Sequence, residues 1–302
     1  MAFIRLHRLR SLGKCALTLS LASFMFCQGF ASAGEQNSTG NDDSPVEVFR
    51  QIHSKTPVTM DLILPRRTQS GAEESAPIYA WIAFVTRPNA RDPAHASFAR
   101  YAHIGLALAR YRYGVILIHI PETDSIDFHT ELSDRLQWLH APGNITTFSK
   151  QPDQPERIYC MSGPDANDAL FTSMLKHARI HPDYPTRSNS GDARFCSGFI
   201  LLGGIGADRG VRLESDRRTL QNLSRNGLPV LILLGKKQTT AVRRINQDLH
   251  NLLLANPEQP RIFLNEFHGY DAVHLLRDFG RPDRPILPIT LRYIWEVESG
   301  RR

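Results

Sequence analysis

A chain of 302 residues with 41% hydrophobic side chains is long enough for a substantial core and too apolar to read as a disordered polyampholyte. Its formal charge of +6 comes from 36 basic against 30 acidic residues, and four of the basic ones (Arg5, Arg8, Arg10, Lys14) fall in the first 33 positions, where no acidic residue occurs. Without that segment the balance is +2, which argues against the clustered basic face that nucleic-acid binding needs.

The first 33 residues have the layout of a secretory signal peptide: a basic start, an apolar run from Cys15 to Phe30, and small residues in Ala31-Ser32-Ala33. Thr18, Ser20, Ser23 and Gln28 interrupt the apolar run, so it falls short of the roughly 20 apolar residues of a stable span. The expectation is export to the periplasm or medium, cleavage to leave Gly34 first, and no stable membrane insertion afterwards. Residues 34–45 are small and polar and are expected to be disordered, leaving 46–302 as a single domain.

Val58 to Pro65 alternates Val58, Met60, Leu62 and Leu64, which predicts a strand with one buried face. Ile78 to Val85 is almost wholly apolar, as expected of a strand covered on both faces. Phe98, Tyr101, Ile104, Leu108 and Tyr111 then take helical spacing across Ala94 to Arg112, and Gly114 breaks it before the strand Val115 to Ile120. Asp127 to His140 reads as a helix, Ile158 to Met161 as a strand, and Asp165 onward as a helix. The apolar runs Gly198 to Leu202 and Pro229 to Leu234 are further strands. A helix marked by Val242, Ile245, Leu249 and Leu252 precedes the strand Ile262 to Phe267, and Tyr293 to Val297 belongs to a closing helix. Alternating strands and helices specify an α/β fold, a three-layer αβα sandwich around a mostly parallel sheet.

Two cysteines lie beyond the leader. Cys160 falls near the exit of one predicted strand and Cys196 just before the next, so straight parallel neighbours would hold them apart. Free thiols are expected. The chain shows no Gly-rich dinucleotide fingerprint, and no His/Cys/Asp/Glu cluster has metal-ligand spacing. No cofactor or metal is expected.

The chemistry centres on Cys160-Met161-Ser162-Gly163-Pro164, where a strand runs into a helix through a tight turn that would lift a serine hydroxyl over the sheet. The alternative for Ser162 is a helix cap. Phe267-His268-Gly269-Tyr270 follows the last strand and offers an imidazole able to take and return the serine proton. The alternative for His268 is a surface histidine. In order and spacing these features resemble the α/β-hydrolase superfamily, and the Phe-His-Gly-Tyr loop resembles that of its dienelactone-hydrolase-like enzymes. The resemblance implies Ser162 as nucleophile, His268 as base, and the Gly163 N–H as one oxyanion donor. Arg87 in the loop after the Ile78 strand is the candidate second donor. The family's acid turn here reads Gly235-Lys236-Lys237-Gln238, without a carboxylate, so Asp208 is the candidate acid; its alternative is a solvated loop residue. Pro164 stands where the family keeps a small residue. Two functions follow. One is an exported serine hydrolase acting on an ester or related acyl bond of a small molecule. The other is a non-catalytic relative with a binding or envelope-assembly role.

Overall fold

The computed structural model describes residues 46–55, 58–66, 78–88, 94–141, 143–145, 157–185, 195–206, 213, 215–254 and 261–300. The expected signal segment 1–33, the polar segment 34–45 and the candidate acid Asp208 lie outside the described residues.

Strands β1 (Val46–Lys55), β2 (Val58–Pro65), β3 (Ala80–Thr86), β4 (Tyr113–His119), β5 (Ile158–Ser162), β6 (Gly198–Leu202), β7 (Val230–Gly235) and β8 (Ile262–Phe267) form one eight-stranded sheet. Their order is β1-β2-β4-β3-β5-β6-β7-β8. β2 is antiparallel to both β1 and β4, and every pairing from β4 to β8 is parallel. The described helices are α1 (Ala94–Ala109), α2 (Phe128–His140), α3 (Asn167–Ile180), α4 (Arg217–Arg225), α5 (Thr240–Leu253), α6 (Ala272–Arg277) and α7 (Ile286–Ser299). This is the mostly parallel αβα sandwich that the alternation of elements predicts, with the strand order of an α/β-hydrolase-like fold.

Strands β3 to β7 are buried along their whole length, which explains why they read as unbroken apolar runs. One face, with Leu62, Val85, Ile118 and Leu201, packs on α2, α3, α4 and α5 through residues such as Leu136, Phe171, Leu220 and Leu249. The other face, with Ile63, Phe84, Leu117 and Met161, packs on α1 and α7 through Ile104, Leu108, Tyr293 and Ile294.

Local departures have local causes. β1 was not expected, because its apolar residues do not keep one period: the register against β2 shifts between Phe49 and His53, where Gln51 takes φ 51°. Helix α1 stops at Ala109 rather than at Arg112, since Arg112 itself turns left-handed (φ 66°) and Tyr113 already belongs to β4. Gly114 is therefore a strand residue, and a Cβ there would meet the Trp81 ring at 2.5 Å.

The cysteines correct the free-thiol expectation. Cys160 and Cys196 are joined by a disulfide, their Cα atoms 5.4 Å apart, and both are buried. Cys160 pairs with Phe199, three residues beyond Cys196, an offset of about 10 Å if the strand ran straight. It does not run straight. The Ser197 N–H donates to the Ile158 carbonyl at 2.7 Å and the Tyr184 hydroxyl holds the Cys196 carbonyl, which draws Cys196 back over β5.

Candidate functional site

Ser162 closes β5 rather than following it. Its backbone is in the ladder, opposite Val85 on one side and Leu201 on the other, and its side chain is fully buried. The hydroxyl donates to Asn167 Oδ1 at 2.6 Å. Asn167, the first residue of α3, uses its amide nitrogen on the Leu202 and Gly204 carbonyls, at 2.8 and 2.7 Å. Ser162 is thus one end of a buried amide clamp that ties the exit of β5 to the exit of β6. The clamp extends through Asn246, which bonds Ile205 through both its oxygen and its nitrogen, and Gln238, which donates to the Gly203 carbonyl. Ser162 does not cap α3, because that helix starts at Asn167 and its cap position, Ala166, has no side-chain bond.

The turn beyond β5 presents a different residue. The Ala166 and Asn167 N–H groups both donate to the Gly163 carbonyl, and Asp165 stands within that turn. Its Oδ2 accepts the Tyr101 hydroxyl at 2.8 Å and, at a longer 3.4 Å, the backbone N–H of Arg87. Its Oδ1 is buried with no hydrogen-bond partner among the described residues. Desolvation pushes the Asp165 carboxyl above its ordinary range, opposed by the bonds from Tyr101 and Arg87. Burial and the Asp165 charge likewise push the Tyr101 hydroxyl well up. Arg87 therefore meets Asp165 through its main chain. Its guanidinium lies 3.7 Å from Glu122 and over the Phe128 ring. Read from the sequence, Asp165 opens a helix; in the structure it lies in the turn before α3. The available signal was its place at the carboxyl end of a central parallel strand.

A carboxyl whose folded-state titration is raised makes the fold less stable as pH rises through that titration. Asp165→Asn keeps an acceptor oxygen for Tyr101 and Arg87 and removes the charge. The variant is expected to gain Tm over wild type as pH rises from about 4 to about 7. A gain confined to acid pH in thermal melts would contradict this account.

His268 lies on the surface beyond β8, and its Nε2 is 2.8 Å from Lys236 Nζ. Lysine donates here, so the ring proton sits on Nδ1. Ser162 and His268 share no hydrogen bond: the one is committed to Asn167 and the other to Lys236. The turn where the family keeps its acid carries a cation in contact with the imidazole.

Helix α6 covers the exits of β5 and β6. A Cβ at Gly163 would stand 3.0 Å from both Leu276 methyls, and one at Gly203, where φ is 91°, would stand 2.7 Å from Ala272 Cβ. Ala272 and Leu276 are four apart and so share one helix face. Asp271 caps this helix, accepting from the His274 N–H and lying 2.7 Å from His274 Nδ1.

A hydroxyl–imidazole–carboxylate series does occur elsewhere, in the sheet itself. Thr86 Oγ1 lies 2.7 Å from His119 Nδ1, and His119 Nε2 lies 3.3 Å from Asp61 Oδ2. Asp61 Oδ1 accepts Arg50 Nε at 2.9 Å and the Gln51 N–H at 2.8 Å. Burial would raise the Asp61 carboxyl, but the bonds from His119, Gln51 and Arg50 outweigh it and hold the group below its ordinary range. Thr86, His119 and Asp61 are all buried, so the series braces the β2-β4-β3 seam and the Thr86-Arg87 turn. Among the described residues no group of three or more His, Cys, Asp or Glu is arranged to hold a metal ion.

Solved structures share this fold. Thermogutta terrifontis esterase 2 in its apo form superposes with a TM-score of 0.53 at 12% identity, over 84% of this chain and 95% of its own. A carboxylesterase candidate from Lactobacillus plantarum WCFS1 superposes with a TM-score of 0.56 at 13% identity, over 84% and 99%. Such identities establish an α/β-hydrolase-like fold that esterases also use, and nothing finer. No protein-family model matches the chain, and no curated protein matches it by sequence.

Proposed function

We propose that this chain is an exported hydrolase-fold protein whose serine chemistry has been closed and which works by binding a small ligand at the carboxyl ends of its strands. The observation that carries this reading is the commitment of the expected pair: a buried Ser162 hydroxyl bonded to Asn167, and a surface His268 bonded to a lysine that stands where an acid belongs. A triad needs the hydroxyl on its base and a carboxylate behind the base. Here the Arg87 N–H, in the loop expected to supply an oxyanion donor, faces the chain's own Asp165. Export is supported by the leader and by the Cys160–Cys196 disulfide, since such bonds persist in oxidising compartments.

The second reading is an ester hydrolase using Ser162, His268 and Asp208, with the Gly163 N–H as oxyanion donor. Its support is the fold shared with esterases and the Phe-His-Gly-Tyr loop that resembles dienelactone-hydrolase-like enzymes. Exposure of purified protein to a fluorophosphonate probe and to short-chain acyl esters separates the two. The binding reading expects folded wild type to stay unlabelled and without turnover above Ser162→Ala. Stoichiometric labelling of wild type, lost in Ser162→Ala, would establish the hydrolase instead.

A further inference from the structure

The turns after β7 and β8 are clamped to each other by main-chain bonds that continue past the strands. Lys236 N–H donates to the Phe267 carbonyl at 2.9 Å and Lys237 N–H to the Tyr270 carbonyl at 2.8 Å. Gly235 permits the approach, because a Cβ there would fall 2.2 Å from the Tyr270 carbonyl oxygen. Residues 236 and 268 are therefore held at a fixed separation by the backbone. On that base the Lys236 ammonium does not extend into water but crosses to His268 Nε2.

The carboxylates nearby do not complete the pair. Asp271 is turned to His274, on whose N–H and ring it is spent. Glu266, two residues before His268, forms no ion pair among the described residues, and Lys237 is exposed and adds a second positive charge to the same turn. Tyr270 follows in the loop and is neutral. The result is an ammonium with donors to spare beside an imidazole whose Nδ1–H is directed away from it, at the end of the sheet where open α/β folds bind ligands.

We propose that Lys236 and His268 form an oxyanion-binding site, taking the carboxylate or phosphate group of a small ligand. The proposal rests on the binding reading and names its ligand class. An oxyanion seated there accepts from the ammonium protons that Lys236 does not spend on His268, and the imidazole holds that ammonium in place.

The test is an NMR titration of the His268 ring signals in the full mature protein, with inorganic phosphate and with acetate at constant ionic strength set by chloride. Saturable shifts are expected in wild type. Lys236→Met should weaken them at least about tenfold, while Lys237→Met changes the midpoint less than about twofold. Saturation by both anions marks a general oxyanion site, and saturation by phosphate alone marks a phosphate group. Flat titrations, or curves that coincide in wild type and Lys236→Met, overturn the proposal. The readout does not depend on turnover, so an esterase with an empty Lys236–His268 pair, and a binding protein with an occupied one, give different results.

Discussion

Asn167→Ala is expected to lower the unfolding free energy by about 3 kcal/mol, more than any change at Ser162 itself. The Asn167 amide satisfies three buried groups at once: the Ser162 hydroxyl and the Leu202 and Gly204 carbonyls. Removing it strands all three where water does not reach, since Asn167 and Ser162 are both buried. Ser162→Ala deletes a donor and leaves one amide oxygen short of a partner, at a cost of about 1 kcal/mol. Urea unfolding of the two variants and the double variant supplies the check. In the double variant the hydroxyl left stranded by Asn167→Ala is gone, so the two costs should sum to more than the observed loss. Strict additivity would mean that the Ser162–Asn167 bond contributes nothing, and the clamp would no longer explain why Ser162 is buried.

Loss of the disulfide is the other large effect. Cys160 and Cys196 are 36 residues apart, and opening a loop of that size returns about 3 to 4 kcal/mol of chain entropy to the unfolded state. The Cys160→Ala, Cys196→Ala variant should therefore unfold at a markedly lower denaturant midpoint, with the loss appearing in wild type on reduction. Protein made in a reducing cytosol should resemble the variant, and protein made through an oxidising compartment should not take up alkylating agent at either cysteine before reduction. Equal midpoints for oxidised and reduced wild type would sink this account.

The strands were legible because burial on both faces leaves a plain trace: β3 to β7 are runs that admit almost no polar side chain. β1 was not, since the register shift around Gln51 sets four steps of β1 against two of β2 and carries its apolar residues from Val46 on one core to Ile52 on the other. Helix α4 was missed because only Leu220, Leu223 and Ser224 of its residues are buried, and α6 because six residues cannot establish a repeat. The site suffered from a one-residue ambiguity. A strand ending at Met161 puts Ser162 in the turn, and a strand ending at Ser162 puts it in the ladder; apolar pattern does not distinguish these. The cysteine expectation failed for a related reason, since it took strands to be straight up to their ends. Lysine in the acid turn was visible, and its contact with His268 was not, because a flexible side chain's direction is set by tertiary neighbours.

Helix α6 stands on two glycines that differ in what they can tolerate, and this confines variation of the site to one position. At Gly203 the left-handed backbone and the Ala272 methyl leave room for nothing larger, and Ala272 has no bulk to give up. At Gly163 the neighbour is the flexible end of Leu276, a side chain that shrinks without disturbing the main chain. The space above Gly163 also borders Asp165 Oδ1. Residue 276 therefore sets how closely α6 covers the turn after β5. Shortening that single side chain would open space beside Asp165 Oδ1, while the 203–272 contact keeps the other end of α6 in place.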